Sequence, residues 1–295
     1  MRNLVQFSFA ALALCALPAA AQEAQRAPVS PQSDPANWRE VSPENLLQLT
    51  INGKTVLVEL RPDFAPAHVA QIRKIARDGN YDGTPFHRVI DDFMAQGGEV
   101  SAAHELVTPY PSLNAEFTFR RNPAVEPVQW VTKGAAPVGY LDGFIVTGQP
   151  DAAAMLMADK SVDTMALHCA GVTSMARTDD PNSADSQFFL MRQARAALDG
   201  KYTVWGRALT GLDVIRGIKA GPDEADGRLD LANADKLTHA VIVADLPADQ
   251  RPRAFVQRPG GPNFKTELQA AQNVSLSAAC GAPSVPIIVE EPHSD

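Results

Sequence analysis

Leu47-Gln48-Leu49-Thr50-Ile51-Asn52-Gly53-Lys54-Thr55-Val56-Leu57-Val58-Glu59-Leu60 is the stretch that sets the secondary-structure class of this chain. Leu47, Leu49 and Ile51 alternate with polar neighbours, and Val56, Val58 and Leu60 alternate again after Asn52-Gly53. A period of two means that alternate side chains share one face of a strand. Asn-Gly supplies the two positive-φ residues of a tight turn, so a β-hairpin is predicted. Downstream, Pro66 suits a first helical turn, and Val69, Ile72, Ile75 and Ala76 recur at helical spacing before Gly79, a left-handed stop. Strand-like segments then return at residues 86–90, 93–96, 171–176, 187–192, 203–208 and 239–244, with a second helix starting at Gly211 and carrying Leu212, Val214, Ile215 and Ile218. Many short strands with two helices point to a sandwich or a barrel.

Outside this pattern the chain changes character. Arg2, an apolar run over residues 4–17 and Pro18-Ala19-Ala20-Ala21 have the three-part form of an export signal, with cleavage expected after Ala21. The run is too short to span a bilayer of about 30 Å. Leu14, bulky beside Cys15, argues against a lipoprotein signal. Residues 22–40, with Pro28, Pro31 and Pro35, read as a flexible linker, with order beginning near Val41. Residues 121–165 interrupt the strand pattern with Gly, Pro, Ala and Met, and residues 246–295 form a proline-rich C-terminal extension with a short apolar run at 285–289. Loss of the signal removes Cys15 and leaves Cys169 and Cys280, which the sequence allows either to pair or to remain separate thiols. The 295 residues are 45% hydrophobic and 20% charged, with a net charge of -8 and no Lys/Arg stripe, which excludes nucleic acid as the main partner. Neither a Gly-x-Gly-x-x-Gly run nor a Walker-type lysine is present. His68, His104, His168 and His239 lack metal-ligand spacing, and Ser174 lacks a nucleophile elbow, so neither a metal nor a serine nucleophile is expected.

Three blocks are more specific. Phe86-His87-Arg88-Val89-Ile90-Asp91-Asp92-Phe93-Met94-Ala95-Gln96-Gly97-Gly98 comes first. Ser174-Met175-Ala176-Arg177, with Ser186-Gln187-Phe188-Phe189, follows. Leu198-Asp199-Gly200-Lys201-Tyr202-Thr203-Val204-Trp205-Gly206 is the third. In this order they resemble the active-site segments of the cyclophilin-type peptidyl-prolyl cis/trans isomerases, and the resemblance covers most of residues 44–245. It implies a mainly β fold: a closed eight-stranded antiparallel barrel capped by two helices, occupying residues 41–245, with 121–165 as an insertion. Closure would remove exposed strand edges.

The resemblance also implies roles. Rotation about a peptide bond faces about 18–20 kcal/mol of lost amide resonance, and no covalent bond is broken. No cofactor is therefore expected, and the catalyst must bind the twisted amide better than either planar form. Arg88 matches the family's charged donor to the amide nitrogen. Phe93, Met94, Phe189 and Leu198 match the pocket for the proline ring, Gln96 and Gln187 the groups that hold substrate backbone and orient Arg88, and Ala176 and Arg177 the neighbouring groove. Phe86, Val89 and Phe188 are expected in the core, and His87 as a structural hydrogen-bonding group. Ala197 stands where many cyclophilins carry Trp, which implies weak cyclosporin inhibition. Tyr202 replaces the usual His as an aromatic wall with a polar tip, and Arg177 replaces Asn, which adds charge beside the groove. The expected substrates are proline-containing segments of exported proteins, and the expected setting is periplasmic or secreted, with the protein a monomer and no membrane span after cleavage. Two alternatives remain open: a chaperone or binding module gripping proline segments with little turnover, and an envelope component with a vestigial groove.

Overall fold

The computed structural model describes residues 30–104, 110–134, 136–272 and 274–292. The predicted signal peptide and the first part of the predicted linker lie outside the described residues. Among those described, nine strands form one antiparallel sheet. They are β1 (Leu46–Ile51), β2 (Lys54–Leu60), β3 (Thr84–Pro85), β4 (Arg88–Ile90), β5 (Met94–Gly97), β6 (Val172–Met175), β7 (Phe188–Met191), β8 (Val204–Ala208) and β9 (Lys236–Ile242), in the order β3-β9-β1-β2-β8-β6-β7-β5-β4. The hairpin forms as its pattern dictates: Ile51 opposes Lys54, and Asn52 and Gly53 take φ of 52° and 70°.

The sheet is a curled half-barrel and not the closed eight-stranded barrel expected. Its two ends are the short neighbours β3 and β4, which do not pair with each other. Pro85 ends β3 and has no N–H to extend a ladder. The outer side of β4 is met by a loop: Val89 N–H donates to Gly227 O at 2.8 Å, and Leu229 N–H to His87 O at 3.0 Å.

Helix α1 (Pro66–Arg77) packs against the sheet, where Val69, Ile72 and Ile75 join Leu47, Val58 and Phe188 in one core. Helix α2 (Leu212–Gly217) adds Ile215 to it. Ala65 gives α1 no side-chain cap. Instead Glu116 accepts the Ala67 and His68 N–H groups at 3.1 and 3.2 Å and bonds His68 Nδ1 at 2.7 Å. Burial opposes its ionisation, but these bonds outweigh burial and hold Glu116 below the usual carboxylate range.

The described parts of the three segments that fitted poorly pack into the fold. Trp38–Glu40, within the expected linker, pairs with Arg253–Gln257, which pairs in turn with Ile287–Glu290. This corrects the linker's end: a strand of three residues has too little alternation to announce itself, and its partner lies more than two hundred residues away. Phe264, Val256 and Val285 of the C-terminal extension share a second core with Leu46, Leu57 and Tyr140. Cys169 and Cys280 are disulfide-bonded across a separation of 111 residues, tying that extension to the segment leading into β6.

The insertion and its flanks form a five-stranded sheet: Phe119–Arg121, Gln129–Trp130, Val138–Leu141, Phe144–Gly148 and Val162–Ala166. Phe144 meets Phe64 edge-on at 5.0 Å, and Phe119 stacks on Phe64 at 4.0 Å. Charges also join the layers. Arg39 reaches Glu59 at 2.6 Å and Arg61 reaches Asp142 at 3.3 Å between sheets, while Arg207, opposite Glu59 within the half-barrel, lies 3.8 Å from it. Burial pushes Arg207 down to about 10 despite that carboxylate. No described helix is long and apolar enough to cross a membrane.

Candidate active site

The period of two distributes the first block between core and surface. In β4, Val89 is fully buried in the core, while Arg88 faces the other way. Antiparallel register sets Arg88 opposite Gln96 of β5, and Gln96 opposite Phe189 of β7. Phe188 and Leu190 enter the main core, whereas Phe189 and Met191 belong to a third cluster that includes Met94. Alternation thus delivers one charged, one amide and one aromatic group from three adjacent strands to the same patch.

That patch is a cavity of about 320 Å³. Met94 and Phe189 are 2% and 5% exposed and form its floor, with Phe93 and Leu198 half-buried beside them. Ala176, Arg177 and Tyr202 line the next part of the groove, and Arg88 and Gln96 complete the lining. Of the residues expected at the site, all but Gln187 line this one hollow. Gln187 stands just behind it, accepting a hydrogen bond from Gln96 Nε2 at 3.0 Å and donating to Glu99. Phe86, Val89 and Phe188 are core residues, as expected.

Three contacts were not anticipated from the sequence. His168 stacks on Phe189 at 6.2 Å and meets Tyr202 edge-on at 6.5 Å, while Asp199 Oδ1 holds its Nδ1 at 2.9 Å and its backbone N–H at 2.8 Å. The aromatic wall thus has a braced back. Arg195 places its guanidinium 4.7 Å from the Phe93 ring centre. Arg88 is held by Asp226. Asp199 carried a signal, since it lies inside the third block, whereas His168, Arg195 and Asp226 sit in no motif.

Arg177 is partly committed. It lies 4.5 Å over Tyr202 and donates to the carbonyls of Lys201 and Thr178 at 3.0 and 2.7 Å. His87 is half-buried, and burial holds it below the usual histidine range against the pull of Glu99. The inserted sheet contributes nothing to the cavity lining. Its Phe144, Val146 and Ala166 instead share a cluster with Met94 and Phe189, behind the floor.

A forked cation at the edge of an apolar hollow, with an amide beside it, suits non-covalent work on a ring-bearing peptide. Residues 46–243 match the family model described as cyclophilin type peptidyl-prolyl cis-trans isomerase/CLD. The chain belongs to the cyclophilin-type peptidyl-prolyl cis-trans isomerases. A probable peptidyl-prolyl cis-trans isomerase of Brucella suis is 36% identical over 203 residues, spanning 69% of this chain and 85% of its own. Peptidyl-prolyl cis-trans isomerase B of Bacillus subtilis is 28% identical over 170 residues, spanning 58% of this chain and 87% of its own. Among solved structures, the cyclophilin AquaCyp293 from Hirschia baltica superposes with a TM-score of 0.81 at 40% identity, covering 91% of this chain and 99% of its own. That superposition extends beyond the family-model match, so this cyclophilin shares more with it than the half-barrel. The activity is peptidyl-prolyl isomerisation, and the substrates contain proline.

Proposed function

We propose that this cyclophilin accelerates X-Pro isomerisation by gripping the proline ring in the hollow and donating from Arg88 to the amide nitrogen as the bond twists. As conjugation is lost the nitrogen pyramidalises and gains an accepting lone pair, so the Arg88 hydrogen bond strengthens only near the top of the barrier. A charge-assisted hydrogen bond of this kind contributes about 2.7–4 kcal/mol of differential binding, roughly a hundred- to a thousandfold in rate. Phe93, Met94, Phe189 and Leu198 hold the ring, Gln96, braced from behind by Gln187, offers its free amide oxygen to substrate backbone, and Tyr202 and Ala176 line the approach to the ring site. Arg177 adds positive charge there and favours acidic residues flanking the proline.

One observation carries the reading: Arg88 borders the same cavity whose floor is Met94 and Phe189. The test separates grip from turnover. Arg88→Ala should lose most of kcat on an Ala-Pro peptide while peptide affinity changes little, and Phe189→Ala should weaken affinity first. Equal kcat in wild type and Arg88→Ala would instead favour the binding-module reading.

The substrates we assign are exported proteins in an oxidising compartment, acted on by a monomer. The Cys169–Cys280 bond and the export-type N-terminal sequence support this setting, because disulfides persist outside reducing cytosol. Slow X-Pro isomerisation limits the folding of such clients. Fractionating cells and probing for the chain cleaved after Ala21 checks it, and an uncleaved cytosolic chain would overturn it.

A further inference from the structure

We infer that Asp226 is a positioning residue for the isomerase site: it clamps one edge of the Arg88 guanidinium so that the opposite edge is left to the substrate. The inference rests on Arg88 acting as proposed above. Arg88 Nε donates to the Asp226 backbone O at 3.1 Å and to Oδ2 at 3.2 Å, and Nη2 donates to Oδ1 and Oδ2 at 3.0 and 2.9 Å. Nη1 has no hydrogen-bond partner among the described residues. Arg88 lines the cavity and Asp226 does not, so the carboxylate engages from outside the hollow. Gln96, the expected orienting group, donates to Gln187.

The loop that carries Asp226 is built against β4 and is not a chance surface neighbour. Val89 N–H donates to Gly227 O at 2.8 Å and Gly221 N–H to Val89 O at 3.0 Å, while residues 88 and 228 form an isolated bridge. Asp226 N–H closes a turn on Asp223 O at 2.9 Å, and Asp226 takes φ of 52°, a left-handed conformation that Asp tolerates. Gly227 follows at φ 72°, and a Cβ there would lie 2.6 Å from both Val89 O and the Ile90 side chain. The backbone of this loop therefore cannot be displaced from β4 without losing several hydrogen bonds. An exposed ion pair of this kind adds little to stability. Its effect lies in direction: two oxygens meeting the Nε/Nη2 edge fix a planar, otherwise rotatable fork in one plane. Arg228 lies close enough to help hold Asp226 ionised, after the larger effect of the Arg88 hydrogen bonds.

Asp226→Gly keeps the left-handed backbone and deletes the carboxylate, and Asp226→Asn keeps one acceptor oxygen without the charge. On an Ala-Pro peptide, Asp226→Gly should lower kcat roughly tenfold with KM within about twofold, because the ring pocket is intact while the donor wanders. Asp226→Asn should fall between it and wild type. In an Arg88→Ala background, Asp226→Gly should cause no further loss. The Arg88 Nη2 protons, bonded in wild type only to the Asp226 carboxylate, should exchange fast in Asp226→Gly. Wild-type or raised kcat in Asp226→Gly, or losses that add to those of Arg88→Ala, would overturn the positioning role while leaving Arg88 catalytic. Full activity in Arg88→Ala would remove the catalytic reading itself, and this inference with it.

Discussion

Replacing Phe144 by Ala tests whether the inserted sheet is a working layer of the fold. The ring is 2% exposed, meets Phe64 edge-on at 5.0 Å and lies 5.3 Å from the guanidinium carbons of both Arg61 and Arg207. Its deletion removes the apolar burial of a whole ring, leaves a cavity that the packed sheet cannot fully close, and strips both arginines of a π face. Phe→Ala changes in cores cost about 3–5 kcal/mol, and at roughly 2–4 °C per kcal/mol the midpoint should fall by about 6–20 °C. Because Phe144 shares a cluster with Met94 and Phe189, the cavity floor should loosen and KM for an Ala-Pro peptide should rise as well. Leu156 lies in the same insertion but is 87% exposed, so Leu156→Ala should stay within about 0.5 kcal/mol of wild type. Thermal melts followed by circular dichroism, with KM measured in parallel, read both effects. A Phe144→Ala midpoint within about 2 °C of the Leu156→Ala midpoint would contradict this and make the inserted sheet a surface addition with no part in the packing.

Other outcomes follow from the same contacts. Cys280→Ser should destabilise the fold by about 2–4 kcal/mol by freeing a loop of 111 residues in the unfolded chain, read as a lower midpoint that reductant no longer changes. Burial holds His87 below its usual value, so the unfolded chain takes up a proton near pH 6.5 that the folded chain resists. Stability should therefore fall as pH drops below about 6.5, and His87→Gln should flatten that slope in urea melts at pH 7 and 5.5. Ala197 is exposed beside Leu198, so Ala197→Trp should restore an indole donor and strengthen cyclosporin inhibition about tenfold, with the inhibition constant as the readout.

Much of this was legible in the chain, for identifiable reasons. The Asn52-Gly53 hairpin and helix α1 depend on local periodicity and turn chemistry, which a sequence displays directly. The cavity residues were legible only through the resemblance of the three blocks to cyclophilin segments, and the strand period then accounts for their sharing a face: Met94 and Gln96 on one side of β5, Ala95 on the other. Closure of the barrel was not, because it depends on two strands meeting, and Pro85 together with the loop at Gly227 prevents it. The strand at Trp38 and the sheet of the C-terminal extension were hidden because their pairing joins the two ends of the chain. Asp226 was hidden differently. It sits in a stretch of Pro, Asp and Gly typical of any solvated turn, and only its approach to Arg88, 138 positions away, distinguishes it.

One guanidinium, that of Arg88, should favour the twisted imide over its planar forms. Exchange NMR on an Ala-Pro peptide bound to the protein measures the on-enzyme cis/trans interconversion rate without any coupled reaction. Arg88→Ala should slow this rate by roughly a hundredfold or more while the bound population stays close to that of wild type. An unchanged interconversion rate at equal occupancy would contradict it.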